Sequence, residues 1–329
     1  MTKTNFIGII ATFLLTVFHT SHAQINGLSF EAPSREIGIE EFELMNEINA
    51  NWVCLMPYAY SKGNAPEIYF DNFQWWGERY DGTKACIKMA KESKLRIMLK
   101  PHLWISHGKF TGDQTFDNEE SWKIWERDYM KYILTYAKLA EEEKVELFCI
   151  GTELKTWFIE RPEFWQNMIR EVKKVYSGKL TYAGNWDGYK LFPFWDQMDF
   201  IGVDAYFPLN SSESPSISEL NENWNKWKEE MRLLSVHYKK DIILTEFGYR
   251  NITKTTSKPW ESYTEAEENQ QAQANAYSAL FQSLWNEEWL AGGFMWKWVC
   301  QAHLSKKKNT SYSPQGKRAL EVIKAQYSK

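Results

Sequence analysis

Residues 147–154 read LFCIGTEL and residues 242–250 read IILTEFGYR. Each is an apolar, strand-like run that ends on a glutamate, Glu153 in the first and Glu246 in the second. A strand buried on both faces reads as such a run, and a charge at its tip marks where the chain surfaces. Taken as 145–153 and 241–248, these two runs have six counterparts: GLSFEA (27–32), WVCLMPY (52–58), LRIMLKPH (95–102), LTYAGN (180–185), DFIGVDAYF (199–207) and GGFMWKW (292–298).

Helical periodicity fills most of the gaps. Trp122, Trp125, Tyr129, Tyr132, Tyr136 and Ala140 recur at three- and four-residue steps, as do Trp224, Trp227, Met231 and Leu234, which assigns these aromatics to helix–sheet packing. Between the fifth and sixth runs, WDGYKLFPFWDQM (186–198) is short and broken by proline, so the helical layer is irregular there. Eight strand–helix units without a linker or repeat predict an α/β chain folded as one (β/α)8 TIM barrel over residues 24–329. The alternative, a doubly wound open sheet, calls for a glycine-rich first turn, which GLSFEAPSREIG (27–38) does not supply.

The chain has 329 residues and a formal net charge of −4. Residues 1–23, with Lys3, an apolar stretch from Phe6 to Phe18 and Ser21-His22-Ala23, read as a cleaved secretory leader; a membrane anchor needs a longer apolar run. Export to the periplasm or the medium is expected. Without the leader the charge becomes about −5, which gives nucleic acid no basic surface. Cys54, Cys86, Cys149 and Cys300 are widely spaced and read as small buried thiols. With 17 Trp, 17 Tyr and 19 Phe, the chain has aromatic surface to spare for stacking on sugar faces.

In a barrel of this kind the active site is built from the C-terminal ends of several strands. Those ends carry Glu31, Tyr58, His102 with Trp104, Glu153, Asn185 with Trp186, Asp204 with Tyr206, Glu246, and Trp296, Lys297 and Trp298. One carboxylate at a strand end can be punctuation. Two, on the fourth and seventh strands and among aromatics, face each other across the mouth and suit cleavage of a glycosidic bond. That reaction needs one carboxyl to donate a proton and another, ionised, to attack the anomeric carbon or activate water. Tyr206, Arg250 and His102 are candidate donors to Glu246. Glu31 and Asp204 either tune the carboxyl pair or cap strand ends.

KPHLW, GTEL, DFIGVDAYFPL, LTEFGYR and GGFMWKW, spread along the mature chain, resemble the β-mannanases of glycoside hydrolase family 113, in the clan of retaining (β/α)8 glycosidases. The resemblance implies Glu153 as acid/base, Glu246 as nucleophile and net retention through a covalent glycosyl-enzyme. It implies a strand-eight tryptophan, Trp296 or Trp298, as floor of the subsite for the reacting sugar; alternation along the strand would point both the same way. His102 and Tyr206 correspond to residues that hold the sugar or the nucleophile. The clan often has asparagine before the acid/base, where this chain has Thr152, so contact with the sugar 2-hydroxyl falls to Thr152 or Asn185.

Trp75-Trp76, in a long loop, reads as a platform beside the cleft. His107 reads as exposed. No His, Asp or Cys spacing suggests a metal, and no cofactor is implied. The expected partner is β-mannan or a related polysaccharide or oligosaccharide, bound by a monomer. A β-glucanase, an exo-β-mannosidase, or a sugar-binding protein that has lost catalysis are the competing readings.

Overall fold

Eight parallel strands close into a barrel in the computed structural model, which describes residues 24–63, 65–71, 73–106, 110–262, 265–301 and 310–329. The expected leader and His107 lie outside the described residues. The elements run β1 (Ile25–Phe30), α1 (Glu40–Asn46), β2 (Trp52–Leu55), β3 (Tyr58–Ser61), α2 (Tyr80–Glu92), β4 (Arg96–Leu99), β5 (His102–Ile105) and α3 (Glu119–Glu142). They continue β6 (Leu147–Thr152), α4 (Lys155–Glu160), α5 (Pro162–Val175), β7 (Lys179–Asn185), β8 (Ile201–Asp204), α6 (Ile217–Tyr238), β9 (Ile242–Phe247), α7 (Gln270–Leu284), β10 (Leu290–Trp298) and α8 (Arg318–Tyr327). Around the barrel the order is β1-β10-β9-β8-β7-β6-β4-β2, with β2 returning to β1.

The eight expected strands are all present, and proline breaks off two of them inside their apolar runs. Pro57 and Pro101 have no N–H to carry the ladder on. The barrel strands end before them, at Leu55 and Leu99, and the chain resumes as a separate parallel pair, with Tyr58 opposite His102 and Tyr60 opposite Trp104. Tyr132, buried on α3, ties down the start of this pair: its hydroxyl donates to the carbonyls of Pro57 at 2.8 Å and His102 at 2.9 Å. The irregular segment between the fifth and sixth barrel strands is two single 3-10 turns, Tyr189–Leu191 and Trp195–Gln197.

Alternation along the strands sorts side chains into two layers. Trp52, Cys54, Met98, Leu147, Cys149, Ile243 and Phe294 fill the barrel interior, while Val53, Leu55, Ile97, Phe148 and Leu244 pack outward against the helices. The periodic aromatics of α3, from Trp122 to Tyr136, are all buried in that outer layer. Fully buried aromatics of this size each hold about 3–5 kcal/mol against truncation to alanine. Asn118 caps α3, accepting from the Ser121 N–H at 2.8 Å. All four cysteines are free thiols, Cys54, Cys86 and Cys149 buried. Among the described residues no helix is long and apolar enough to cross a membrane.

Candidate active site

The C-terminal rim of the barrel holds a cavity of about 540 Å³. Phe110, Glu153, Asn185, Trp186, Asp187, Tyr206, Glu246, Trp260, Ser262, Trp296 and Tyr312 line it. Both glutamates singled out in the sequence are therefore in one pocket.

Glu246 is the second-last residue of β9 and is 6 % exposed. The Lys100 ammonium donates to its Oε1 at 2.6 Å, and the Tyr206 hydroxyl donates to its Oε2 at 2.7 Å. Burial and the Glu246 charge push the Tyr206 phenol well above its usual range, which keeps it a donor. Two donors, one of them charged, thus hold both oxygens of the Glu246 carboxyl in place. His102 Nε2 lies 3.6 Å from Oε1. Burial, then the nearby Lys100 charge, holds this imidazole well below its ordinary value, so it stands as a neutral ring beside Glu246. Its Nε2 has no hydrogen-bond partner among the described residues.

Glu153 follows the last residue of β6 and sits in the left-handed region at φ 57°. Its carboxyl is pushed well above the usual carboxylate range, by burial first and then by repulsion from Asp204 and Glu246. The turn is braced from below: the Leu154 N–H donates to the Tyr182 hydroxyl at 2.7 Å. At Gly151 a Cβ would press on the Trp165 ring and the Tyr129 hydroxyl, so glycine is needed where β6 passes the helical layer.

Asp204 ends β8, fully buried; Thr245 donates to its Oδ1 at 2.8 Å and Lys100 reaches the same atom at 3.4 Å. Burial and the Glu246 charge raise its pKa. It is thus a partner of Lys100 beneath the pocket, rather than a group on its wall. Arg250, another candidate donor, aims instead at carbonyls: Nε donates to Thr310 at 3.2 Å and Nη1 to Glu261 at 3.4 Å.

The strand-eight tryptophans part company. Trp296 lines the pocket and lies near-parallel to the His102 ring, centroids 6.1 Å apart, whereas Trp298 is 3 % exposed in the outer core. The shared direction expected from alternation does not hold, because the ladder slips here: Ser29 pairs with Trp296 and the next residue, Phe30, with Trp298. A cis peptide joins Trp296 to Lys297. Trp298 is therefore corrected from sugar platform to core. Lys297 pairs with Glu31.

Trp76 is half-buried and packed on the core, while its neighbour Trp75 is 52 % exposed. Trp104, 50 % exposed, stacks on Tyr60 with centroids 5.1 Å apart, further out along the pair of strands that begins at Tyr58 and His102. Opposite, Trp186 stacks on Trp260 at 4.9 Å, joining the loops after β7 and β9 into one wall. The hydroxyl of Thr152, next to Glu153, is buried with no partner among the described residues. Asn185 accepts from the Trp186 N–H at 2.8 Å. Among the described residues no three His, Cys, Asp or Glu side chains are grouped to hold a metal ion.

Lys100, Phe110, Trp260 and Tyr312 escape the sequence reading. A lysine inside the apolar run LRIMLKPH was the available signal for the first; the other three come from loops, where nothing in the sequence ties them to the strand ends.

Residues 32–317 match the model of Glycoside Hydrolase Family 113. The chain belongs to this family. Among solved structures it is similar to a GH113 β-1,4-mannanase in complex form, at 25 % identity and a TM-score of 0.82 over 93 % of this chain and 99 % of that one. The fold is shared with the GH113 β-mannanase of Alicyclobacillus acidocaldarius solved with ManMIm, at 23 % identity and a TM-score of 0.83 over 94 % of this chain and 98 % of that one. No curated protein matches the chain. As a family member it is a glycoside hydrolase on a (β/α)8 barrel.

Proposed function

We propose that the protein is a retaining endo-β-1,4-mannanase, exported from the cytoplasm, that cleaves mannan or glucomannan with Glu153 as acid/base and Glu246 as nucleophile. The observation that carries the reading is the contrast between two carboxyls of one pocket. Glu246 is bridged by an ammonium and a phenol, whereas Glu153 is buried and pressed towards its protonated form. This is the division of labour that double displacement requires.

In the first step an oxygen of Glu246 bonds to the anomeric carbon as the glycosidic bond breaks, and the Glu153 proton passes to the departing oxygen. Water, deprotonated by Glu153, then opens the glycosyl ester and restores both groups. Trp296 would stack beneath the reacting sugar. The neutral His102 and the unpartnered Thr152 hydroxyl supply donors for sugar hydroxyls, Thr152 standing beside the acid/base where the 2-hydroxyl is expected. The axial 2-hydroxyl of mannose is compatible with that changed partner. The Trp104–Tyr60 stack extends the strand pair outward from His102 and offers a further ring a flat apolar face.

The manno preference rests on the mannanases to which the chain is similar. Mannohexaose hydrolysis followed by proton NMR tests the whole reading. Shorter manno-oligosaccharides appearing first as β-anomers support it. Release of mannose alone would mark an exo-enzyme, first-formed α-anomers an inverting one, and activity on β-glucan without mannan a glucanase.

A further inference from the structure

We propose that Lys100 is a positioning residue that keeps Glu246 a carboxylate fit for attack, and that Asp204 is the counter-ion to which its ammonium turns when the Glu246 charge is spent. The proposal rests on the reading of Glu246 as nucleophile. Lys100 has no solvent exposure at all, and its ammonium lies 2.6 Å from Glu246 Oε1 and 3.4 Å from Asp204 Oδ1. Lysine is seldom fully buried unless paired, and a buried cation left without a partner is strongly destabilising. Burial opposes its charge, but Asp204 and Glu246 together more than restore it. The ammonium is therefore a fixed charge shared by two carboxyls, with the Thr245 hydroxyl at 2.8 Å anchoring one of them.

Among the described residues, the other titratable groups facing Glu246 do not supply a cation. Cys54, Tyr58, Tyr206 and Tyr312 are held protonated and uncharged by burial, and His102 is neutral. Glu153 and Asp204 are acids that repel it. Among the described residues, Lys100 is thus the cation seated against the Glu246 carboxyl. When Glu246 forms its bond to the anomeric carbon, the sugar–oxygen bond breaks and the Glu153 proton leaves with the departing oxygen. The glutamate becomes a neutral ester. Lys100 would then be a buried cation without a partner, were Asp204 not already within reach on the same side.

The test compares pH profiles of kcat/KM on mannohexaose for wild type, Lys100→Met and Lys100→Arg, with folding checked by circular dichroism. Lys100→Met is expected to lose roughly a hundredfold in kcat/KM, with its acidic limb moved up by about one pH unit or more. Lys100→Arg retains the cation, so its acidic limb stays at the wild-type position even where its rate falls. A folded Lys100→Met with an unmoved acidic limb overturns the proposal. If Lys100→Met does not fold, Lys100→Arg decides: an acidic limb that rises although the charge is kept overturns it as well. Glu246→Ala, assayed in parallel with azide, separates this from the nucleophile reading. Wild-type turnover without Glu246 removes the reading itself; loss with azide rescue, alongside an unmoved limb in Lys100→Met, removes only the role of Lys100.

Discussion

The backbone N–H of Glu153 donates to the carbonyl of Ala183 over 2.8 Å, with Glu153 itself at φ 57°. That bond carries β6 one residue beyond its regular ladder with β7, and the left-handed turn then swings the next residues away. The cost of a left-handed non-glycine residue, of order 1–3 kcal/mol, is met by the surrounding packing. The result is a carboxyl presented to the pocket from a fixed point on the rim rather than from a mobile loop.

Glu153→Ala should therefore lose proton donation while leaving the pocket intact. Hydrolysis of mannohexaose should fall by about 10²–10⁴-fold. A dinitrophenyl β-mannoside, whose leaving group needs no proton, should form the glycosyl-enzyme at close to the wild-type rate. Equal losses in the two first steps, measured by pre-steady-state burst kinetics, would remove Glu153 from the acid role.

The raised pKa of Glu153 has consequences for pH. Activity needs its proton in the first step, so kcat/KM falls as pH rises through that value, and Glu153→Gln should abolish the basic limb. Stability follows the same sign. Between the unfolded carboxyl value of about 4.3 and the raised folded value, the unfolded chain has lost a proton that the folded chain retains. Stability contributed by this group is present at low pH and lost as pH rises. Glu153→Gln removes the penalty, so thermal melts at pH 8 should show the variant more stable than wild type. The advantage should shrink towards pH 4; a gap independent of pH would contradict the assignment.

The divergence of Trp296 and Trp298 can be read out in two separate measurements. Trp296→Ala should lower kcat/KM by about tenfold or more through lost stacking on the sugar, with a modest change in Tm. Trp298→Ala should cost about 3–5 kcal/mol in urea unfolding, and its remaining folded enzyme should keep KM near the wild-type value. The reverse pattern would return Trp298 to the subsite.

Gly248 lies two residues past Glu246, where the chain passes closely against Trp296 of β10. A Cβ there would collide with the Trp296 carbonyl, which is backbone and cannot rotate away. Gly248→Ala should shift β9 against β10, lowering kcat on mannohexaose by roughly 10²-fold through misplacement of Glu246 and Trp296. Wild-type kcat in a folded variant would show that the contact is slack.

Legibility in the sequence followed the range of each interaction. The barrel was readable because every buried strand leaves a local mark, an apolar run such as DFIGVDAYF, and every helix a periodic one, such as Trp122 to Tyr136. Glu153 and Glu246 were readable because each ends such a run. The split of two runs at Pro57 and Pro101 was also written locally, since neither residue can donate to a ladder, but the new partner of each segment is set by tertiary contact. Lys100 is harder. A lysine near the end of an apolar run marks surfacing as readily as burial, and only its approach to Glu246 and Asp204, over a hundred residues away in the chain, decides between them. Trp298 was misplaced because alternation fails across a one-residue slip that no local pattern announces.

The central claim, that Glu246 becomes covalently bound to the sugar, is tested most directly by trapping. The enzyme would be incubated with 2-deoxy-2-fluoro-β-mannosyl fluoride, and the labelled peptide located by mass spectrometry after proteolysis. The account predicts one fluoromannosyl group per chain, on Glu246 within IILTEFGYR, with loss of activity in proportion to labelling. Label on a different carboxyl, or none in an enzyme that cleaves mannohexaose, would contradict it.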